Sequence, residues 1–144
     1  MNNVSATKTA PQPMLEVLRC GILTSVQDLG RHGQRHLGIS QSGALDTLAL
    51  QQANLLLGNA PGAAGLEISV GPVHLRFHAD AVIVLSGVDF APTLHDPTGA
   101  ASNDPVLTGH RVSIPAGSTL SLTRPAIPGA RCYLAVAGGI DVPL

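Results

Sequence analysis

Residues 73–85 read VHLRFHADAVIVL, and this stretch decides the fold class. Its first half alternates. Val73, Leu75 and Phe77 take one side, and His74, Arg76 and His78 take the other, the period of a half-buried strand. Its second half does not alternate. Ala81–Leu85 is continuously apolar and rich in β-branched residues, which predicts a buried strand.

The same pattern extends outward. Leu15–Cys20 alternates, with Leu15, Val17 and Arg19 opposite Glu16, Leu18 and Cys20. Gly21 interrupts it, and Leu23–Val26 resumes as a short strand. Val112–Ile114 and Thr119–Leu122 flank Pro115–Ser118, which predicts a hairpin-like connection. Cys132–Ala137 is a further apolar run. One segment breaks the pattern. Ala44–Leu57 puts Leu45, Leu48, Ala49 and Leu56 on one face and Thr47, Gln51 and Asn54 on another. That period predicts an amphipathic helix over about 44–57. Ser42 is its expected N-cap, Asp46 suits the first turn, and Gly58 and Pro61 stop it. Many short strands with one helix mean a mainly β barrel or sandwich.

Composition excludes several functions. At 144 residues there is room for one domain. Hydrophobic residues are 44%, enough for a core and too many for intrinsic disorder. The formal net charge of -1 gives no basic footprint, and 2% aromatics give no base-stacking platform, so no nucleic-acid partner is expected. No run approaches the roughly 20 apolar residues of a membrane span, so no membrane partner is expected either. Residues 1–13, MNNVSATKTAPQP, read as a flexible tail without a secretory signal, ahead of a domain at 14–144. The default compartment is cytoplasmic. Lys8 is the only lysine and lies in that tail, so a Schiff base or a phosphate-loop lysine is excluded from the folded body. Cys20 and Cys132 suit a reducing compartment as buried thiols, with a single bridge left open.

The unusual polar residues concentrate in Thr24–Asn59. Asp28 and Arg31 stand three apart in a turn, close enough to pair. Arg31 could hold a substrate carboxylate in its planar fork, or simply bridge to Asp28. Asp in a turn more often bonds local backbone, which favours the structural reading two to one. Asp46 is either a general base or a residue of the helix's first turn, and the second leads. Glu67, in the apolar run Leu66–Ile68, is expected to be exposed; buried, it would need a partner. His74 and His78 are spaced four apart on a strand, about 13 Å, too far for one ion. His32 and His36 share that spacing in a loop with no Cys or Glu nearby, so no metal site is expected. Gly38–Ser42 resembles a nucleophile elbow but ends in Ser rather than Gly.

Six blocks carry a wider resemblance: TSVQDLGR at 24–31, SGALD at 42–46, ANLLLGN at 53–59, LEI at 66–68, LSGVD at 85–89 and YLAVAGGID at 133–141. In this order and spacing they resemble the biotin-dependent carboxyltransferase family. That family includes allophanate hydrolase subunit 2, the C subunit of 5-oxoprolinase (PxpC) and the KipI antagonist KipA. The resemblance implies a cyclophilin-like β-barrel and a related partner subunit of the allophanate hydrolase subunit 1, KipI or PxpB type. A LamB/YcsF-type subunit joins in the 5-oxoprolinase case. It implies ATP-dependent opening of 5-oxoproline to glutamate, with ATP on a partner. One alternative is carboxyl transfer to urea from carboxybiotin on a separate carrier. Another is a non-catalytic regulator of the KipA type. The family blocks fall on Asp28, Arg31 and Asp46, expected to be catalytic, and on Gln27, Ser42, Asn54, Asn59 and Glu67, expected to bind substrate. Asn54 and Asn59 would bond an amide. Family members continue past the Gly-Gly-Ile-Asp block into a second half, so the expectation is an N-terminal half that is inactive alone.

Overall fold

The structure is a computed structural model and describes residues 14–123 and 130–142. The tail expected at 1–13, with Lys8, lies outside the described residues.

The chain is mainly β with one helix, as the alternating runs require. In order, the elements are β1 (Leu15–Cys20), β2 (Leu23–Gln27), a 3-10 turn (Arg35–Leu37), α1 (Thr47–Leu57), β3 (Gly65–Val70), β4 (Val73–Phe77), β5 (Ala81–Gly87), β6 (Pro92–His95), β7 (Arg111–Ile114), β8 (Thr119–Leu122) and β9 (Cys132–Val136). They form two antiparallel sheets rather than one closed barrel. One has the order β1-β4-β8-β6 and the other β2-β3-β9-β5-β7. The inward residues of both build one core. Val73, Leu75, Phe77, Leu120 and Leu122 come from the first sheet. Leu66, Ile68, Ile83, Leu85 and Leu134 come from the second.

The second sheet is covered twice. Helix α1 packs on its far side, placing Leu50 and Ala49 with Tyr133, and Ala53 and Leu57 with Val84 and Ala135. β5 and β9 therefore have no solvent face. This is why 81–85 and 132–136 are unbroken apolar runs while β4, with one wet face, alternates.

Several local expectations change. β7 and β8 do not form a hairpin: β7 pairs with β5, and β8 with β4 and β6. The Pro115–Ser118 segment does turn, Ser118 N donating to Pro115 O at 3.2 Å. It is anchored to the β4–β5 corner through Gly117 N to Phe77 O and Ala116 N to Asp80. The turn carries the chain from one sheet to the other. The helix begins later than expected. Its N-cap is Asp46, whose carboxylate accepts from Ala49 N at 3.0 Å; Ser42 lies outside the helix. Gly58 ends it in a left-handed cap. The buried face is Ala49, Leu50, Ala53, Asn54 and Leu57, while Leu45, Leu48 and Leu56 face out. Leucine on both sides of the segment made the apolar face ambiguous. The cysteines are both free: Cys132 is buried but Cys20 is exposed. Among the described residues no helix is long and apolar enough to cross a membrane.

Leu50 is fully buried where α1 meets Tyr133. Leu50→Ala is expected to destabilise the fold by about 2–5 kcal/mol, read as a lower urea midpoint at unchanged slope.

Candidate functional site

The Thr24–Asn59 stretch is built on two glycine contacts. After β2, the segment Asp28–Arg31 crosses Gln41–Ala44. Asp28 O accepts from Ala44 N at 2.8 Å, and Arg31 N donates to Gln41 O at 2.7 Å. The backbones touch. A Cβ on Gly30 would lie 2.4 Å from the carbonyl oxygens of Gln41 and Ser42, and one on Gly43 would lie 2.5 Å from Gly30 N. Both glycines also have positive φ, so no other residue fits either position without displacement. Ser42, between them, holds φ 54, a strained value for a residue with a Cβ.

This crossing forms the wall of a cleft of about 400 Å³. Gln27, Asp28, Arg31, Gln41, Ser42 and Asp141 supply its polar groups. Asp28 does not pair with Arg31. Its Oδ1 accepts from Gly30 N at 2.7 Å, the local turn bond, and Arg31 forms no ion pair with any described residue. The guanidinium is thus left with its donors available, next to a turn fixed by Asp28. Ser42 Oγ lies 3.2 Å from Ser40 Oγ, and Gln27 donates to Ser25 at 3.0 Å, leaving its carbonyl oxygen without a donor among the described residues. Gln41 and Asp141 were not singled out from sequence as site residues, although Asp141 closes the last of the six blocks.

The other four sequence candidates do not line this cleft. Glu67 is buried, contrary to the expected exposure. Its Oε2 accepts from the Tyr133 hydroxyl at 2.7 Å and Leu45 N at 2.8 Å, and its Oε1 from Arg131 Nε at 3.2 Å. Three donors compensate the loss of water. Tyr133 Oη in turn accepts from Asp46 N at 2.8 Å. So the two amides ahead of α1 are clamped to the sheet, and Asp46 serves as the helix cap. The asparagines form a second frame. Asn54 Nδ2 donates to Ala63 O at 2.8 Å, and its Oδ1 accepts from Asn59. Asn59 also donates to Val136 O at 2.8 Å and accepts from Gly138 N at 2.9 Å. Their amides are satisfied inside the protein, which puts them in a positioning role. They fix the Gly138–Gly139 turn that delivers Asp141 to the cleft. The sequence signal for Tyr133 and Arg131 was weak: a buried glutamate demands donors, but their positions follow only from the β3–β9 register, where Glu67 opposes Tyr133.

A second hollow, of about 300 Å³, is apolar, walled by Leu15, Val17, Val26, Phe77 and Ile140. It shares Ile140–Val142 with the polar cleft. His74 bonds Ser121, and His78 bonds Glu16 at 2.7 Å. Among the described residues no three His, Cys, Asp or Glu side chains group as metal ligands.

Known proteins share this architecture. A family model described as carboxyltransferase domain, subdomain A and B, matches residues 37–144. The C subunit of the Escherichia coli K12 5-oxoprolinase is 48% identical over 130 residues, covering 90% of this chain and 39% of that protein. Its Haemophilus influenzae counterpart is 36% identical over 130 residues, covering 90% and 40%. The crystal structure of the Kluyveromyces lactis urea amidolyase superposes with a TM-score of 0.80 at 34% identity, over 95% of this chain and 8% of that one. The chain thus spans about two-fifths of the length of the 5-oxoprolinase relatives it matches. It belongs to the carboxyltransferase-domain family.

The clamp predicts an alkaline response. Burial pushes the Tyr133 hydroxyl up to about 12, with the neighbouring Glu67 adding to the shift against the Asp46 amide. Burial also pushes the Cys132 thiol up to about 12. Both groups fold neutral. Their stabilising contributions are complete below their unfolded values, about 10 and about 8.5, and fade as pH rises toward 12. Tyr133→Phe is expected to cost about 1–3 kcal/mol near neutrality. It is also expected to flatten the decline above pH 10, with the cysteine's share remaining. Urea midpoints from pH 8 to 11.5 test both.

Proposed function

We propose that this chain is the N-terminal half of an ATP-dependent 5-oxoprolinase subunit, opening 5-oxoproline to glutamate together with partner subunits. The observation that carries the reading is Arg31 in the polar cleft, without an ion pair among the described residues, on a chain 48% identical to the C subunit of a 5-oxoprolinase. 5-Oxoproline offers a carboxylate and a ring amide. Arg31 binds the carboxylate by its two-pronged donor geometry. Gln27 accepts from the amide N–H, and Ser42 donates to the carbonyl oxygen. Asp28 sets the turn that aims Arg31. Asp141, facing the same cleft, is the carboxylate available to move a proton. Asp46, Asn54, Asn59 and Glu67 hold the walls.

The start of α1 offers ATP a poor seat. In its first turn Ala49 N is already taken by the Asp46 carboxylate, and the amides just ahead, of Leu45 and Asp46, are held by Glu67 and Tyr133. ATP therefore belongs on a partner subunit in this reading. Related subunits of the KipI and LamB/YcsF types are the proposed partners, and the cytoplasm the proposed compartment.

A second reading has one observation in its favour, the close superposition on urea amidolyase. There this fold would take carboxybiotin from a separate carrier and a neutral urea. A neutral substrate gives Arg31 no carboxylate to hold, which ranks this reading second. The KipA-type regulator draws no support from these relatives.

The experiment is reconstitution with the partner subunits and an assay of ATP-dependent 5-oxoproline turnover, for this chain and for a version extended to the length of its relatives. Arg31→Ala in whichever form turns over is expected to lower kcat/KM by about 10²-fold or more. Arg31→Lys is expected to recover only part, because a point charge lacks the fork. Full activity of Arg31→Ala would sink the carboxylate assignment.

A further inference from the structure

We infer that residues 31–41, with the outward leucines that follow them, form a docking arm for a partner protein that presents acidic groups around an apolar pocket. This rests on the proposal that the chain works with partner subunits.

Between its ends at Arg31 and Gln41, which belong to the cleft wall, the arm packs no residue into the core of the described fold. It leaves the body at Arg31 and returns at Gln41, where Arg31 N donates to Gln41 O at 2.7 Å. Every residue from Arg31 through Ser40 is exposed. Its order is internal: the 3-10 turn Arg35–Leu37, a left-handed Gly38, and a long contact of 3.4 Å from Arg35 Nη2 to Gln41 Oε1. A loop with no buried residue pays ordering entropy with little return from its own domain.

Its chemistry is two-sided. Arg35, with His32 and His36 beside it, carries the basic character, and no acidic residue occurs between Asp28 and Asp46 to offset it. Within the arm and directly after it in sequence come apolar groups that a monomer would cover. Leu37 is 65% exposed, and immediately after the arm rejoins the body Leu45 is 70% and Leu48 64% exposed. Leu55, seven residues on and on the same outward side of α1, is exposed as well. Exposed leucines in series, following a basic loop, point to a binding surface rather than to scattered surface residues. Charge complementarity then names the occupant, an acidic rim around an apolar groove. A lipid surface fits less well, because the patch has no lysine and no aromatic anchor. The arm's neck, Arg31 and Gln41, is also the rim of the polar cleft. A partner seated on the arm would close that cleft.

The test uses the intact chain and the remaining subunits of the source's 5-oxoprolinase, each purified separately, with binding measured by calorimetry. Arg35→Glu, Leu37→Ser and Leu48→Gln are each expected to weaken binding to one of those subunits roughly tenfold or more. Raising salt from about 0.05 to 0.5 M should weaken the wild type and affect Arg35→Glu less. All three positions are exposed, so unchanged melting curves confirm that the variants fold. Wild-type affinity in all three variants overturns the inference. So does binding of the wild type to none of the subunits, to anionic vesicles instead, or to itself through Leu48 by sedimentation. The two readings fail separately: arm-dependent binding without 5-oxoproline turnover keeps the docking arm and removes the assigned reaction.

Discussion

A single buried carboxylate ties the molecule's layers together. Glu67 sits on the second sheet under the start of α1, and its three donors come from two distant segments. Leu45 precedes the helix, while Tyr133 and Arg131 belong to and adjoin β9. A buried charge with one donor removed is costly, so each donor is held to its place by the others. The consequence runs outward. Fixing Leu45 and Asp46 sets where the helix starts. That start sets how Ser42–Ala44 cross Gly30, and the crossing shapes the cleft.

The fold class was readable because burial is written into periodicity. β4 has one dry face and alternates, whereas β5 and β9 are dry on both and do not. What periodicity could not convey was pairing. Val112–Ile114 and Thr119–Leu122 are both real strands, and the turn between them is real. Yet they sit in different sheets, because β7 pairs with β5 and β8 with β4 and β6, all far back in sequence. The helix face was obscured for a different reason. A segment with leucine at 45, 48, 50, 55, 56 and 57 has no single apolar side until the sheet chooses one.

The candidate cleft was half legible. Asp28, Arg31, Ser42 and Gln27 do share a cleft, because a short turn and a glycine-dependent crossing keep them local. Asp46, Asn54, Asn59 and Glu67 stand in the same sequence blocks but serve the frame. Side chains that build a frame and side chains that meet a ligand draw on the same polar residue types, and only burial and bonding separate them. Asn54 illustrates this: it is fully buried, with both ends of its amide bonded to protein. Asp141 shows the converse. It sits far from the polar stretch in sequence and reaches the cleft only because Asn59 fixes the turn before it.

The closed neck at Arg31 and Gln41 has a bearing on how this chain can vary. Loop-closure entropy rises only slowly with length, and here the two ends are already joined by the bond from Arg31 N to Gln41 O. Residues could be inserted or deleted between His32 and Ser40 without shifting β2, α1 or the cleft wall. The arm is therefore a place where length and composition can drift while the enclosing domain stays constant. Members of one family could in this way acquire different assemblies on an unchanged scaffold.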